Sequence, residues 1–195
     1  MKCDTPTALA LGATLAFGSC HLAACDDGSD HGDLTPPLAA ATAPAADEAT
    51  PDPGRLDLDA TEARFGAPTV SPGFTPDPTR VQGTTAGGPV DLSTVADGCV
   101  GWAAAQPDAI VHAARPFAEL GLMAASGVDL TMLAIGPRGE PRCVDDADGA
   151  HPVVRDDFLA GPIRIWIGVR ERGQVAPFTL GVSELDDSRP ASLLP

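Results

Sequence analysis

The 195-residue chain predicts an all-β domain, an antiparallel β-sandwich or jelly roll, preceded by a cleaved export signal and a disordered acidic linker. Three observations carry that prediction. Short segments alternating apolar and polar residues recur through the second half of the chain. Turn clusters such as Gly136-Pro137-Arg138-Gly139 and Asp148-Gly149 separate them at short, even spacing. No long segment keeps a period of 3.6, so helices are not expected to form a layer.

Taken in order, the chain opens with Lys2 and an apolar run from Thr7 to Ser19. That run has the length of a secretory h-region and is too short for a spanning helix, which needs roughly 20 apolar residues. Behind it, Leu22-Ala23-Ala24-Cys25 resembles the lipobox of bacterial lipoproteins. The resemblance implies cleavage after residue 24 and acylation of Cys25. Phe17-Gly18-Ser19-Cys20 is a competing match with a poorer residue in the leucine position, and an ordinary cleaved signal without lipid is the alternative. Cysteine parity favours Cys25. Of the five cysteines, cleavage there removes Cys3 and Cys20, lipidates Cys25 and leaves Cys99 and Cys143 to pair in an oxidising compartment. Cleavage at Cys20 would leave an odd thiol.

Residues 25–62 read as a tether. From residue 26 on they hold ten acidic side chains against Arg55 and no aromatic, with Pro36, Pro37, Pro44, Pro51 and Pro53 set in Ala and Thr. Such a segment cannot bury enough apolar surface to offset the entropy of ordering it, and like charges extend it. The formal charge of −15 comes largely from this stretch, and the chain lacks the clustered Lys and Arg that phosphate backbones require. Nucleic acid is therefore not an expected partner.

Residues 63–195 read as one domain. The clearest strand is Ile163–Arg170, with Ile163, Ile165, Ile167 and Val169 on one face and a wetter face opposite. Pro177–Ser183 repeats the pattern after a turn containing Gly173, which predicts a hairpin with the preceding strand. Earlier strands are expected at Ala109–Ala113, Phe117–Ala125, Leu130–Ile135, Arg142–Asp145 and Pro152–Phe158. The segment Gly101–Ala105 fits a strand or a short helix. The proline-rich stretch before Val90 is expected to be irregular and to lie along a sandwich edge.

The order Gly98-Cys99-Val100-Gly101-Trp102, Gln106-Pro107-Asp108, Gly127-Val128-Asp129-Leu130, Cys143-Val144-Asp145-Asp146, Gly161-Pro162-Ile163-Arg164-Ile165-Trp166 and Leu180-Gly181-Val182-Ser183-Glu184 resembles the bacterial pre-peptidase C-terminal domain over residues 80–185. The resemblance implies a β-sandwich appendage of the kind that secreted hydrolases use for substrate or surface binding. It transfers no catalytic residue.

Ser126, His112 and Asp129 have the side chains of a hydrolase triad, but no Gly-x-Ser-x-Gly elbow surrounds Ser126, and isolated histidines give no zinc pattern. The chain is therefore not expected to be an enzyme. Asp129, Asp145, Asp146 and Asp148 are the candidate metal ligands, because calcium takes clustered hard oxygens, and Asp156-Asp157 could add to them. The EF-hand spacing fails, since Arg155 falls where the bidentate acid belongs. Backbone capping in the turn behind Cys143 is the structural alternative. Trp102, Trp166 and Arg164 are the candidate ligand-binding residues, flanked by Arg170 and Arg172. The structural alternative places Trp166 over the sandwich edge and Trp102 near the disulfide. No cofactor is required, calcium being the one candidate.

Together these features predict a lipid-anchored extracytoplasmic module without catalytic activity, held at a membrane of the cell envelope. Its partner would be an envelope protein, a peptide or a glycan. The alternative is an accessory or calcium-stabilised carbohydrate- or peptide-binding subunit of a separate hydrolase.

Overall fold

The computed structural model describes residue 52 and residues 54–195. The expected export signal, Cys25 and most of the expected tether lie outside the described residues. Among those described, no helix is long and apolar enough to cross a membrane.

Among the described residues, eleven strands form two sheets. They are β1 (Thr69–Val70), β2 (Thr79–Thr84), β3 (Val90–Asp91), β4 (Trp102–Ala103), β5 (Ala109–Ala113), β6 (Phe117–Ser126), β7 (Leu130–Ile135), β8 (Pro141–Val144), β9 (Val153–Phe158), β10 (Gly161–Val169) and β11 (Pro177–Ser183). The seven-stranded sheet runs β1-β5-β10-β4-β3, with β7 on the other edge of β10 and β8 beyond it. The four-stranded sheet runs β2-β11-β6-β9. All pairings are antiparallel except β1 with β5. The fold is the expected β-sandwich.

Alternation places the inner faces. Ile163, Ile165, Ile167 and Val169 of β10 meet Leu120, Leu122 and Ala124 of β6 and Phe178, Leu180 and Val182 of β11 in one buried cluster. The even positions of β10 are not a wetter face throughout. Trp166 is fully buried in a second cluster with Leu92, Cys99, Ala103, Leu133 and Ile135, on the outer side of the seven-stranded sheet. The loop carrying Cys99 covers that side and is bonded to Cys143 of β8, with the two Cα atoms 5.2 Å apart.

The expected hairpin does not form. β10 pairs with β5, β4 and β7, while β11 pairs with β2 and β6 in the opposite sheet, so residues 170–176 cross between layers. Alternation reports that one face is buried and is silent on which sheet owns the strand. Gly101–Ala105 contains the short strand β4 and no helix. The proline-rich stretch contains a full strand, β2, which does lie at a sheet edge as expected.

The packed domain also begins before residue 63. Ala60 is buried, Leu56 packs against the Trp166 cluster, and the Asp57 N–H donates to the Ala105 carbonyl at 2.9 Å.

Candidate functional site

β7 and β8 run antiparallel with Met132 facing Val144, so the residue before β7 and the residues after β8 emerge side by side. This places Asp129, Asp145 and Asp146 together, with one carboxylate oxygen from each lying within 4.8 Å of the others. Val169 pairs with Leu130 at the same end, so the next residue, Arg170, reaches Asp145 at 3.5 Å. Oδ1 of Asp129 and Oδ1 of Asp145 are buried and have no hydrogen-bond partner among the described residues. Partial burial pushes the Asp145 carboxyl above its ordinary range, Asp146 and Asp129 push it further, and Arg170 offsets part of the rise.

Three converging carboxylates against one mostly exposed arginine leave surplus negative charge. Two orphaned oxygens are costly unless a proton or a cation meets them. The donor set suits a hard divalent ion, for which carboxylates, backbone carbonyls and water are ordinary ligands. Asp148 is exposed and outside the trio; its N–H donates to the His151 carbonyl at 3.0 Å. Asp156 and Asp157 are likewise engaged elsewhere, paired with Arg142 and Arg138.

Trp102 opposes Val169 at this same end of the sheet and is half-buried, with the Arg172 guanidinium 4.9 Å from its ring centroid. Val100 is exposed beside it in sequence. Trp166 has no surface to offer a ligand: it is fully buried, and its indole N–H donates to the Ala105 carbonyl at 3.1 Å. Trp166, rather than Trp102, is the tryptophan packed at the disulfide, because its even position in β10 faces the loop that Cys99 pins. Arg164 lies nearer the other end of β10, opposite Ile110, and its Nε donates to the Ala60 carbonyl at 2.9 Å.

The hydrolase side chains do not assemble. His112 sits opposite Pro162 on β10 and Leu130 sits opposite Val169, so His112 and Asp129 are separated by at least seven residues of strand, roughly 23 Å. Ser126 Oγ donates to the Pro177 carbonyl at 2.7 Å and accepts the Val128 N–H at 3.3 Å.

The residue that sequence reasoning missed is Asp108. It is fully buried where the edge of β10 passes from β5 to β4, and its carboxylate accepts the Ile167 N–H at 2.7 Å and Arg64 Nη1 at 2.5 Å. Desolvation pushes its carboxyl up to about 6 against the lowering pull of those two partners. The signal was one acid set directly before the apolar run Ala109-Ile110-Val111.

No family model and no curated protein matches the sequence. Among solved structures, the chain is similar to the pre-peptidase C-terminal domain of collagenase from Bacillus anthracis, at 12% identity and a TM-score of 0.37, covering 60% of this chain and 94% of that one. It is also similar to the periplasmic inhibitor of g-type lysozyme from Aeromonas hydrophila, at 13% identity and a TM-score of 0.31, covering 60% of this chain and 96% of that one.

Proposed function

We propose that this chain is a lipid-anchored, extracytoplasmic β-sandwich that binds an envelope protein, peptide or glycan and does no chemistry of its own. The observation that carries the reading is the bond between Cys99 and Cys143, the two cysteines that remain after cleavage at Cys25. Disulfides persist in oxidising compartments, which supports export, and the lipobox supplies the anchor. Dispersal of Ser126, His112 and Asp129 supports a binding role over a hydrolytic one. The loop end with Trp102, Val100, Arg170 and Arg172 is the face this reading assigns to the partner.

Replacement of Cys25 tests the anchor. The Cys25→Ala protein should leave the membrane fraction, and retention there would contradict the reading. A pull-down from solubilised membranes tests the partner class: glycan retention without protein supports direct glycan binding, whereas a co-purifying hydrolase supports an accessory role.

A second reading, favoured by the orphaned oxygens of Asp129 and Asp145, is that calcium stabilises the loop end. Calcium at 100 times its dissociation constant would add about 2.7 kcal/mol to stability. The melting midpoint should rise with calcium, fall with chelator and cease to respond in Asp145→Asn. An unchanged wild-type midpoint removes calcium from the account.

A further inference from the structure

β8 is the last strand on one side of the seven-stranded sheet, and β9 is the last strand on one side of the four-stranded sheet. Between these two edges runs a cleft of about 480 Å³, walled by residues 141–144, residues 153–156 and residues 96–98 of the disulfide loop. Register fixes which backbone groups face it. The Ala124 N–H donates to the Pro152 carbonyl at 3.2 Å, and Leu122 and Leu120 lie opposite Val154 and Asp156, so Val154 and Asp156 turn their N–H and C=O groups toward β6. Val153, Arg155 and Asp157 turn theirs away, and among the described residues no strand lies on that side of β9.

The edge is closed at one end and open at the other. At Asp157 the N–H is taken by Asp156 Oδ1 at 2.8 Å and the carbonyl by Arg142 Nη2 at 3.4 Å, while Arg142 also pairs with Asp156 across the cleft. At Val153 and Arg155 the outward backbone groups repeat every second residue, roughly 7 Å apart, which is the spacing that an added strand matches. Val154 is buried and Val144 packs against the main core, giving the cleft an apolar floor. Of the charged side chains on its walls, Arg142 and Asp156 neutralise each other, and Arg155 turns to Glu119 and to the Leu185 and Ser188 carbonyls, the last two at 2.9 and 3.1 Å. Asp97 is exposed and has no ion-pair partner among the described residues.

We propose that this cleft seats an extended segment of a partner protein, which adds as a strand to β9 at Val153 and Arg155 and sets a basic side chain against Asp97. Backbone hydrogen bonds supply the affinity, and the apolar floor and the Asp97 carboxylate supply the selectivity. A glycan brings no alternating row of N–H and C=O groups to such an edge. The cleft and Trp102 lie on opposite sides of β10, so the proposal goes beyond the ligand face assigned above and does not rest on it or on the anchor.

The test is hydrogen exchange of the full chain with the acetylated, amidated peptide Thr-Val-Lys-Val-Thr, whose valines face the floor while its lysine faces Asp97. With peptide at about ten times its dissociation constant, exchange at the Val153 and Arg155 amides should slow about tenfold, while Val154 and Asp156, already turned to β6, change little. Asp97→Arg alters one exposed side chain, and should bind this peptide about threefold more weakly and its glutamate counterpart about threefold more tightly. Absence of protection at Val153 and Arg155 in millimolar peptide overturns the proposal, as does an unchanged peptide preference in Asp97→Arg. Protection of those two amides that grows with protein concentration, without peptide, means that a second copy of the chain fills the cleft, and it overturns the proposal as well.

Discussion

The outer face of the seven-stranded sheet buries Trp166 beneath a loop that a disulfide ties to β8, whereas the outer face of the four-stranded sheet takes Leu193, from the short 3₁₀ turn Pro190–Leu193, against Met123, Ala125 and Gly181. A large aromatic needs a deep, fixed cover, and a covalent bond supplies one without a second sheet. Met123, Ala125 and Gly181 are covered by a turn laid across them. One face is thus closed covalently and the other by the turn Pro190–Leu193.

The largest expected effect comes from emptying the first cover. Trp166→Ala leaves a cavity under the loop and removes one of the two donors to the Ala105 carbonyl, and should cost about 3 to 5 kcal/mol in denaturant unfolding. The same change at an outer position of the other sheet has no comparable cavity to open.

Next is the bond itself. The Cys99→Ser, Cys143→Ser double variant loses a crosslink spanning 44 residues, which should cost about 4 kcal/mol in the chain-entropy picture and expose Trp166 to quencher. If the tryptophan stays shielded, the cover is held by packing alone, and the contrast between the two faces weakens.

Asp108 sharpens the comparison electrostatically, because its buried carboxylate sits in the seven-stranded sheet. Its folded pKa of about 6 stands above the ordinary 3.8, so the folded state holds the proton more tightly than the unfolded chain. The stability it contributes is therefore full below pH 4 and is lost as pH rises to about 6, some 3 kcal/mol in total. Stability curves of wild type and Asp108→Asn should diverge across that window and run parallel above it.

The smallest effect is expected on the other face. At position 181 a Cβ would come within 2.8 Å of Leu193, so Gly181→Ala should cost about 1 to 3 kcal/mol, read as a lower melting midpoint and faster exchange of the C-terminal turn.

Much of this architecture was legible from periodicity. β5 and β7 have the bounds that alternation assigns them, and β6, β8 and β9 differ by a residue at their ends. Alternation could not assign a strand to a sheet, which is why β10 and β11 read as a hairpin. Prolines on either side of Thr79–Thr84 concealed β2, although an edge strand tolerates them nearby. The acidic residues of 57–62 looked like tether because charge counts ignore backbone hydrogen bonds, which dock that segment. At the site, Asp129, Asp145 and Asp146 converge, while Asp148 lies outside the trio. Trp166 was misjudged because a bulky residue on a strand's second face can belong to a second core. Asp108 was overlooked because its use, filling a gap in the hydrogen bonding of β10, exists only in three dimensions.

The most direct measurement of the central claim is the intact mass of the mature protein from membranes, taken before and after reduction and alkylation. The expected result is a chain that starts at Cys25, carries acyl groups and takes up alkylating reagent at Cys99 and Cys143 only after reduction. A full-length, unacylated chain with both of those thiols free would contradict it.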